Sequence, residues 1–226
     1  LMVVGEAEPV MGTVLDGMQE MLAAKASRRE AILAAGRSVR GCYVPSMYSF
    51  RYTPQGDVDS IETSGGLPER IVKVVAGRMV QAGHSQLYSP EAELAMHMTE
   101  LGRGCSRGCR FCAAAFIYRP PRLWDVEAVT AGLLARPQDM DRIGLLGMEM
   151  AASGVLDRIA DYLVEHGCRL SFSSLRADRI SSPLLSLLAR SRLKSAAIAP
   201  DGASERLRRV INKGLTEQDL LAGADL

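Results

Sequence analysis

Residues 143–174 decide the fold of the larger part of the chain, and they read IGLLGMEMAASGVLDRIADYLVEHGCRLSFSS. The segment opens with a short apolar run at 143–147, which predicts a strand. An apolar stripe at helical spacing follows, formed by Leu156, Ile159, Ala160 and Leu163. Gly167 stands where a helix commonly ends, and the run 169–174 predicts the next strand. A strand, a helix and a strand in this order predict a βαβ unit with parallel strands.

The same alternation extends in both directions from this unit. Toward the N-terminus, a strand is predicted at 95–101 and a helix at 125–135. Toward the C-terminus, Ser182 and Pro183 begin a third helix. A fourth strand, a fourth helix and a short last helix are predicted at 194–199, at 204–213 and after Thr216. Successive βα units predict an α/β domain with a parallel sheet, whose ligand site lies at the C-terminal ends of the strands.

The N-terminal part of the chain is organised differently. Residues 1–36 contain one strand signal and one helical stretch, too little to bury their own faces, and resemble the end of an α/β domain. Residues 37–92 carry turn signals between short β-rich pieces and are interpreted as a connector. Residues 93–226 then form the main domain, which we expect to be incomplete at its C-terminus.

Composition and charge exclude several classes of protein. The chain has 226 residues, and its 27 Lys and Arg nearly balance 26 Asp and Glu, giving a formal net charge of +1. This balance argues against charge-driven binding to nucleic acid or to a membrane surface, and leaves nucleic acid only as a substrate recognised by other means. No apolar run approaches the ~18 residues of a membrane span and no secretion signal is recognisable, so a cytoplasmic protein without a membrane partner is expected.

Three of the five cysteines are crowded into one glycine-rich loop. Cys105, Cys109 and Cys112 have the spacing C-x-x-x-C-x-x-C, whereas Cys42 and Cys168 lie far away on either side. This is a poor disulfide framework, so the three close cysteines are predicted to be metal ligands in a reducing compartment. Three thiolates from one loop can hold three corners of an iron–sulfur cubane and leave the fourth iron open for chemistry.

Other interpretations of the loop remain open from the residues alone. Structural zinc requires four ligands, and the fourth would have to come from Cys42, Cys168 or a histidine. An electron-transfer ferredoxin would also need a fourth nearby cysteine. Arginines within and before the loop place positive charge beside the cysteines, which would offset the charge of a ligated cluster but otherwise is typical of a solvated face.

Several motifs together resemble a known family. Their positions are 41–48 (GCYVPSMY), 104–112 (GCSRGCRFC), 116–122 (FIYRPPR), 173–178 (SSLRAD) and 204–214 (SERLRRVINKG). The loop with an aromatic residue before its last cysteine, placed after the first strand of a βα series, resembles the radical S-adenosylmethionine (SAM) superfamily. The remaining motifs resemble its members that contain a B12-binding domain.

The resemblance implies a fold and an activity. The fold would be a partial (βα) TIM-like barrel of the radical SAM type, preceded by the remnant of a cobalamin-binding-like α/β domain. A [4Fe–4S] cluster on Cys105, Cys109 and Cys112 would bind SAM through its open iron. One electron from a reductant such as flavodoxin or ferredoxin would break the C5′–S bond, and the resulting 5′-deoxyadenosyl radical would abstract hydrogen from an unknown substrate. The cofactors would carry out the bond cleavage, and the protein would position them and exclude water.

The resemblance also assigns SAM contacts but no catalytic side chain. These contacts are Phe111, Gly147, Glu149, Ser174, Arg176 and Asp201. The backbone near Phe111 would touch the adenine, and Glu149 would face the amine in a Gly-Met-Glu run where the family often has Gly-Gly-Glu. Ser174 and Arg176 would hold the carboxylate or ribose. Asp201 stands where the family often has glutamate.

Two further expectations concern what this chain does alone. His84, His97 and His166 do not stand in the Asp-x-His-x-x-Gly motif of cobalamin domains, so cobalamin binding is not expected in this chain by itself. His166 is expected to end a helix. Two alternatives to the enzyme remain: a non-catalytic iron–sulfur-binding remnant, whose open chamber would quench a radical, and a structural zinc module.

Overall fold

The computed structural model describes residues 1–77, 82–89, 91, 95–147, 153–191, 193 and 195–225. The chain forms two compact units, Leu1–Arg78 and Met79–Leu226. Helices and short strands occur in both, so the protein is a mixed α/β protein. The finer division into 1–36, 37–92 and 93–226 stays a prediction.

The first unit combines a helical pair with two antiparallel strand pairs. Its elements are β1 (Met2–Val3), α1 (Glu8–Ala23), α2 (Arg28–Ser38), β2 (Cys42–Tyr43), β3 (Tyr48–Tyr52) and β4 (Val58–Thr63). Strand β1 pairs with β2, and β3 pairs with β4. A second helix stands where the sequence predicted only one, because Ser27 and Glu30 form a reciprocal capping box that begins α2. The relation of this unit to a cobalamin-binding domain stays a prediction.

The second unit contains a parallel sheet. Its elements are β5 (His97–Glu100), β6 (Gly102–Arg103), α3 (Ala114–Ile117), β7 (Arg122–Leu123), α4 (Val126–Leu134), β8 (Arg142–Leu146), α5 (Ser153–Glu165), β9 (Arg169–Phe172), α6 (Ser182–Arg190), α7 (Glu205–Val210) and α8 (Glu217–Ala224). Strands β5, β8 and β9 lie side by side in that order, and both neighbouring pairs are parallel. The βαβ unit predicted from residues 143–174 is therefore confirmed.

The apolar stripe of α5 packs into the main core. Leu156, Ile159 and Leu163 are at most 1% exposed and belong to one cluster with Ile143 and Leu145 of the sheet. Their burial fixes the helix against the strands, and each such side chain contributes roughly 1.5–3 kcal/mol. No helix in the described part of the chain is long and apolar enough to cross a bilayer.

A single parallel bridge stands where the fourth strand was predicted. Leu175 pairs with Ile198, and its N–H donates to the carbonyl of Ala197 at 2.7 Å. The N–H of Ala199 donates back to the carbonyl of Leu175 at 3.0 Å. The run is rich in serine and alanine, which offer little side-chain surface to pack on a sheet, so the pairing is short. Lys194, at the start of the predicted strand, lies outside the described residues.

A buried histidine lies at the opposite edge of the sheet, where β5 begins. His97 is fully buried; its Nε2 donates to the carbonyl of Gly132 at 2.8 Å, and its Nδ1 lies 2.6 Å from the Tyr88 hydroxyl. Burial lowers the pKa of His97, the bond to Gly132 acts in the opposite sense, and the nearby His84 and Arg136 lower the pKa further. The imidazole is therefore held neutral in the folded protein.

This histidine makes stability depend on pH. Its folded pKa lies below the unfolded value near 6.5, so the unfolded chain takes up the proton first as the pH falls. The free energy of unfolding is expected to decrease below about pH 6.5, with a slope of at most about 1.4 kcal/mol per pH unit for this proton. Urea unfolding at about pH 7.5 and 5.5 measures it. An unchanged pH slope in His97→Gln would contradict the assignment.

Candidate functional site

The cysteine loop is closed at its base by a pair of short strands. Strands β6 and β7 pair antiparallel and hold the two ends of the loop together. Gly104 begins the loop at a φ of +88°, and a Cβ on it would lie 2.1 Å from the carbonyl oxygen of Tyr118. Only glycine fits this close approach without moving the backbone. The glycine beside the first cysteine is therefore a structural requirement of the loop.

The end of α7 fastens the other side of the loop. The N–H of Arg110 donates to the carbonyl of Ile211 at 2.9 Å, and the Asn212 side-chain amide donates to the carbonyl of Gly108 at 2.8 Å. The Arg110 guanidinium also donates to the carbonyl of Val210. These bonds connect the cysteine loop to the residues that follow the fourth predicted strand.

The three cysteines of the loop line one cavity of about 280 Å³. Cys105 and Cys109 are buried, Cys112 is half-buried, and none of the three forms a disulfide bond. The N–H of Arg107 donates to the sulfur of Cys105 at 3.4 Å. In the described part of the chain, no three His, Cys, Asp or Glu side chains are arranged to hold one metal ion. The loop therefore presents its sulfur atoms to a shared space.

The cavity lies at the C-terminal ends of the parallel strands, as predicted. Gly147 follows β8, Ser174 and Arg176 follow β9, and Asp201 follows the bridge at Ile198. These residues line the same cavity as the cysteines, together with Phe111, which is 56% exposed. Glu149 lies outside the described residues. Five of the six residues assigned to SAM by resemblance are thus brought together.

A carboxylate ties two arginines into the wall of the cavity. Arg176 donates through Nε and Nη2 to Asp178 at 2.9 and 3.1 Å, and Arg107 donates through Nη2 to the same carboxylate at 2.8 Å. Burial alone would lower the pKa of Arg176, but Asp178 and the sulfurs of Cys109 and Cys105 outweigh it, so the pKa is raised. Arg176 stays charged next to the cysteines.

A second ion pair also lines the cavity. Lys213, whose side chain is 9% exposed, pairs with Asp201, and the carbonyl of Lys213 accepts a bond of 3.0 Å from Arg176. The predicted Asp201 therefore already has a cationic partner. Ser204 accepts from the N–H of Leu207 and caps α7, so local chemistry accounts for the start of this helix.

Sequence analysis did not assign several residues that line the cavity: Arg107, Ser173, Arg179 and Lys213. Arg107 was treated only as a source of charge, and Lys213 only as the end of a helix. Both stand inside the motifs at 104–112 and 204–214, so motif membership was the available indication.

The other cysteines and His166 are not among the residues that line the cavity. Cys42 and Cys168 are buried in separate apolar clusters, and burial raises the pKa of each thiol. That neither cysteine binds a metal stays a prediction. His166 follows the end of α5, as predicted, and stacks on Tyr162 with the ring centroids 4.1 Å apart.

Comparison with known proteins gives little further identification. No protein-family profile matches the chain. An uncharacterized protein of Methanocaldococcus jannaschii is 32% identical over 146 residues, which cover 62% of this chain. The matched part is 32% of that protein, so this chain spans about a third of its relative's length.

Proposed function

We propose that the second unit is the core of a radical SAM enzyme. The observation that carries the proposal is the single cavity in which Cys105, Cys109 and Cys112 meet Ser174 and Arg176. Sulfur ligands from one loop thus share a space with polar groups from a strand end, where ligands bind in parallel α/β sheets. When bound, the cluster and SAM would supply a one-electron cleavage of SAM to a 5′-deoxyadenosyl radical, which acts on an unknown substrate.

The residues around the cavity fit such a cluster. Three thiols outside any disulfide bond are the donor set for a cubane with one open iron, in which each thiolate would bind its own iron instead of converging on one ion. The Nε of Arg107 is buried, and no partner for it is present among the described residues. A buried N–H between two of the cysteines is suited to an anionic group at this position.

The chain's own side chains would bind and orient SAM. Arg176 uses Nε and Nη2 for Asp178 and Lys213, and the described residues supply no acceptor for its Nη1. The Nη1 group of Arg176 can therefore donate a hydrogen bond to the carboxylate of SAM. Ser174 offers a hydroxyl as donor and acceptor for the same carboxylate or the ribose. The exposed ring of Phe111 leaves the neighbouring backbone accessible to the adenine.

In this proposal the parallel sheet is the first part of a (βα) barrel. Strands β5, β8 and β9 and the bridge at Ile198 follow one another in chain order across the sheet. That order is typical of the barrels whose active sites lie at the C-terminal strand ends. The chamber needs further strands to exclude water from a radical.

Anaerobic reconstitution tests the proposal. The full 226-residue chain is incubated with iron and sulfide without oxygen, desalted, and assayed for iron, zinc and acid-labile sulfide. We expect about four irons per chain, as for one [4Fe–4S] cluster. Reduction with dithionite in the presence of SAM should then release 5′-deoxyadenosine, measured by liquid chromatography and mass spectrometry.

Each alternative predicts a different outcome of the same experiment. A cluster without 5′-deoxyadenosine would contradict the enzyme and favour a cluster-binding remnant. Zinc in the chain purified without air, with no iron taken up, would contradict both and favour a structural zinc module.

A further inference from the structure

Asp178 has no assigned role in the proposed site, yet it joins two of its parts. It lies on the helical turn Ala177–Arg179 just after the third strand, and its carboxylate accepts from Arg107 of the cysteine loop and from Arg176 of the strand end. One carboxylate therefore holds two guanidinium groups next to the cysteines.

The environment makes these charges act strongly on the sulfurs. The side chains of Asp178 and Arg176 are only 16% and 13% exposed. Charges screened by protein instead of water interact more strongly over the same distance. Arg176 interacts electrostatically with Cys109 and Cys105, and Arg107 donates its backbone N–H to Cys105. The Arg107–Asp178–Arg176 triad thus combines one anion with two cations whose residues line the same cavity as the cysteines.

On the proposed function, we propose that Asp178 is a positioning residue that sets the reduction potential of the cluster bound by Cys105, Cys109 and Cys112. A cluster gains one negative charge when it takes up one electron, so nearby cations favour the reduced form and nearby anions disfavour it. Asp178 fixes both arginines beside the thiolates and at the same time offsets one of their two positive charges. The reduction potential of the cluster then depends on the net charge of the two arginines and Asp178.

Substitutions of opposite charge should move the potential in opposite directions. Asp178→Asn removes the anion and keeps the side-chain shape, so the reduced cluster is favoured. Arg107→Gln removes a cation, so the oxidised cluster is favoured. We expect the ratio of reduced to oxidised cluster at a fixed potential to rise about tenfold in the first and to fall about tenfold in the second, each a shift of about 59 mV for one electron.

The measurement is a mediated redox titration of the reconstituted full chain, followed by electron paramagnetic resonance without SAM. Asp178→Glu keeps the charge and should stay within about twofold of the wild-type ratio. Asp141→Asn is the control, because Asp141 also pairs with an arginine, Arg169, but where β8 and β9 begin, at the end of the strands opposite to the cavity. It should leave the potential unchanged.

The outcomes separate this inference from the function on which it rests. If the wild-type chain binds no cluster, the proposed function fails first. If it binds a cluster and Asp178→Asn leaves the potential unchanged, or Asp141→Asn moves it equally, the inference is overturned. If Asp178→Asn does not retain a cluster, the reduction potential of Arg107→Gln is compared with that of the wild type. A lower potential supports the inference, and a higher or unchanged potential overturns it.

Discussion

Replacing Cys109 with alanine is expected to abolish iron binding. Cys109 is the central cysteine of the loop and is 7% exposed at the wall of the cavity. Without it, two thiolates remain for a cluster that needs three protein ligands to keep one iron open. We expect iron in the reconstituted chain to fall from about four per chain to near zero, and 5′-deoxyadenosine to disappear with it. Iron analysis and visible absorption measure the first, and chromatography the second.

Two other cysteines of this chain provide the control. Cys42 and Cys168 are buried like Cys109, but each belongs to an apolar cluster and neither is among the residues that line the cavity. Alanine at either position should leave the iron content unchanged, because only a small side chain is lost from a core. Full iron content in Cys109→Ala, or its loss in Cys42→Ala, would contradict the assignment of the ligands.

The second large effect is expected from Gly104→Ala at the start of the loop. The residue has a φ of +88°, and its Cβ would lie 2.1 Å from a backbone oxygen. The left-handed conformation costs a residue with a side chain about 1–2 kcal/mol, and overpacking costs about 1–3 kcal/mol more. The free energy of unfolding should therefore drop by about 2–5 kcal/mol, measured by urea denaturation, with a parallel loss of iron.

Alanine substitutions at two other glycines separate the cost of the left-handed conformation from the cost of overpacking. Gly167 also has a positive φ, but no atom lies within 4 Å of its would-be Cβ, so alanine there should cost only the conformational part, about 1–2 kcal/mol. Gly154, in α5, has neither constraint, and alanine there should stabilise by up to about 1 kcal/mol. A loss in Gly104→Ala no greater than that in Gly167→Ala would rule out the close contact with Tyr118 as the cause.

Local patterns were sufficient to predict the sheet and the position of the cavity. Apolar residues recur at helical spacing along α5, so one face of this helix is buried. The strand–helix–strand order then predicts that the two flanking strands are parallel. Parallel strands bring their C-terminal ends to one edge, so Gly147, Ser174 and Asp201 meet there although they are far apart in sequence. Each step needs only neighbouring residues and one topological rule.

Partnerships between distant charges were not predictable in the same way. Asp178 is two residues from Arg176, but its second partner, Arg107, is 71 residues away. Asp201 and Lys213 stand on either side of α7 in the chain and form an ion pair in the folded protein. Such pairs do not follow the residue spacing of a helix or a strand. They can therefore be recognised only once the packing of the elements is known. Helix α2 of the first unit was not predicted for a simpler reason. The capping box at Ser27, which begins this helix, was not recognised in the sequence.

The bonds between the cysteine loop and the end of α7 have a consequence for how the protein is made. Asn212 and Gly108 are 104 residues apart. A ribosome adds about 5–20 residues per second, so the cysteines emerge roughly 5–20 seconds before the residues that fasten their loop. During this interval the thiols are on a nascent chain whose loop is held from one side only. The proposed metal cluster would therefore be loaded after translation of α7, when the loop has acquired its final shape.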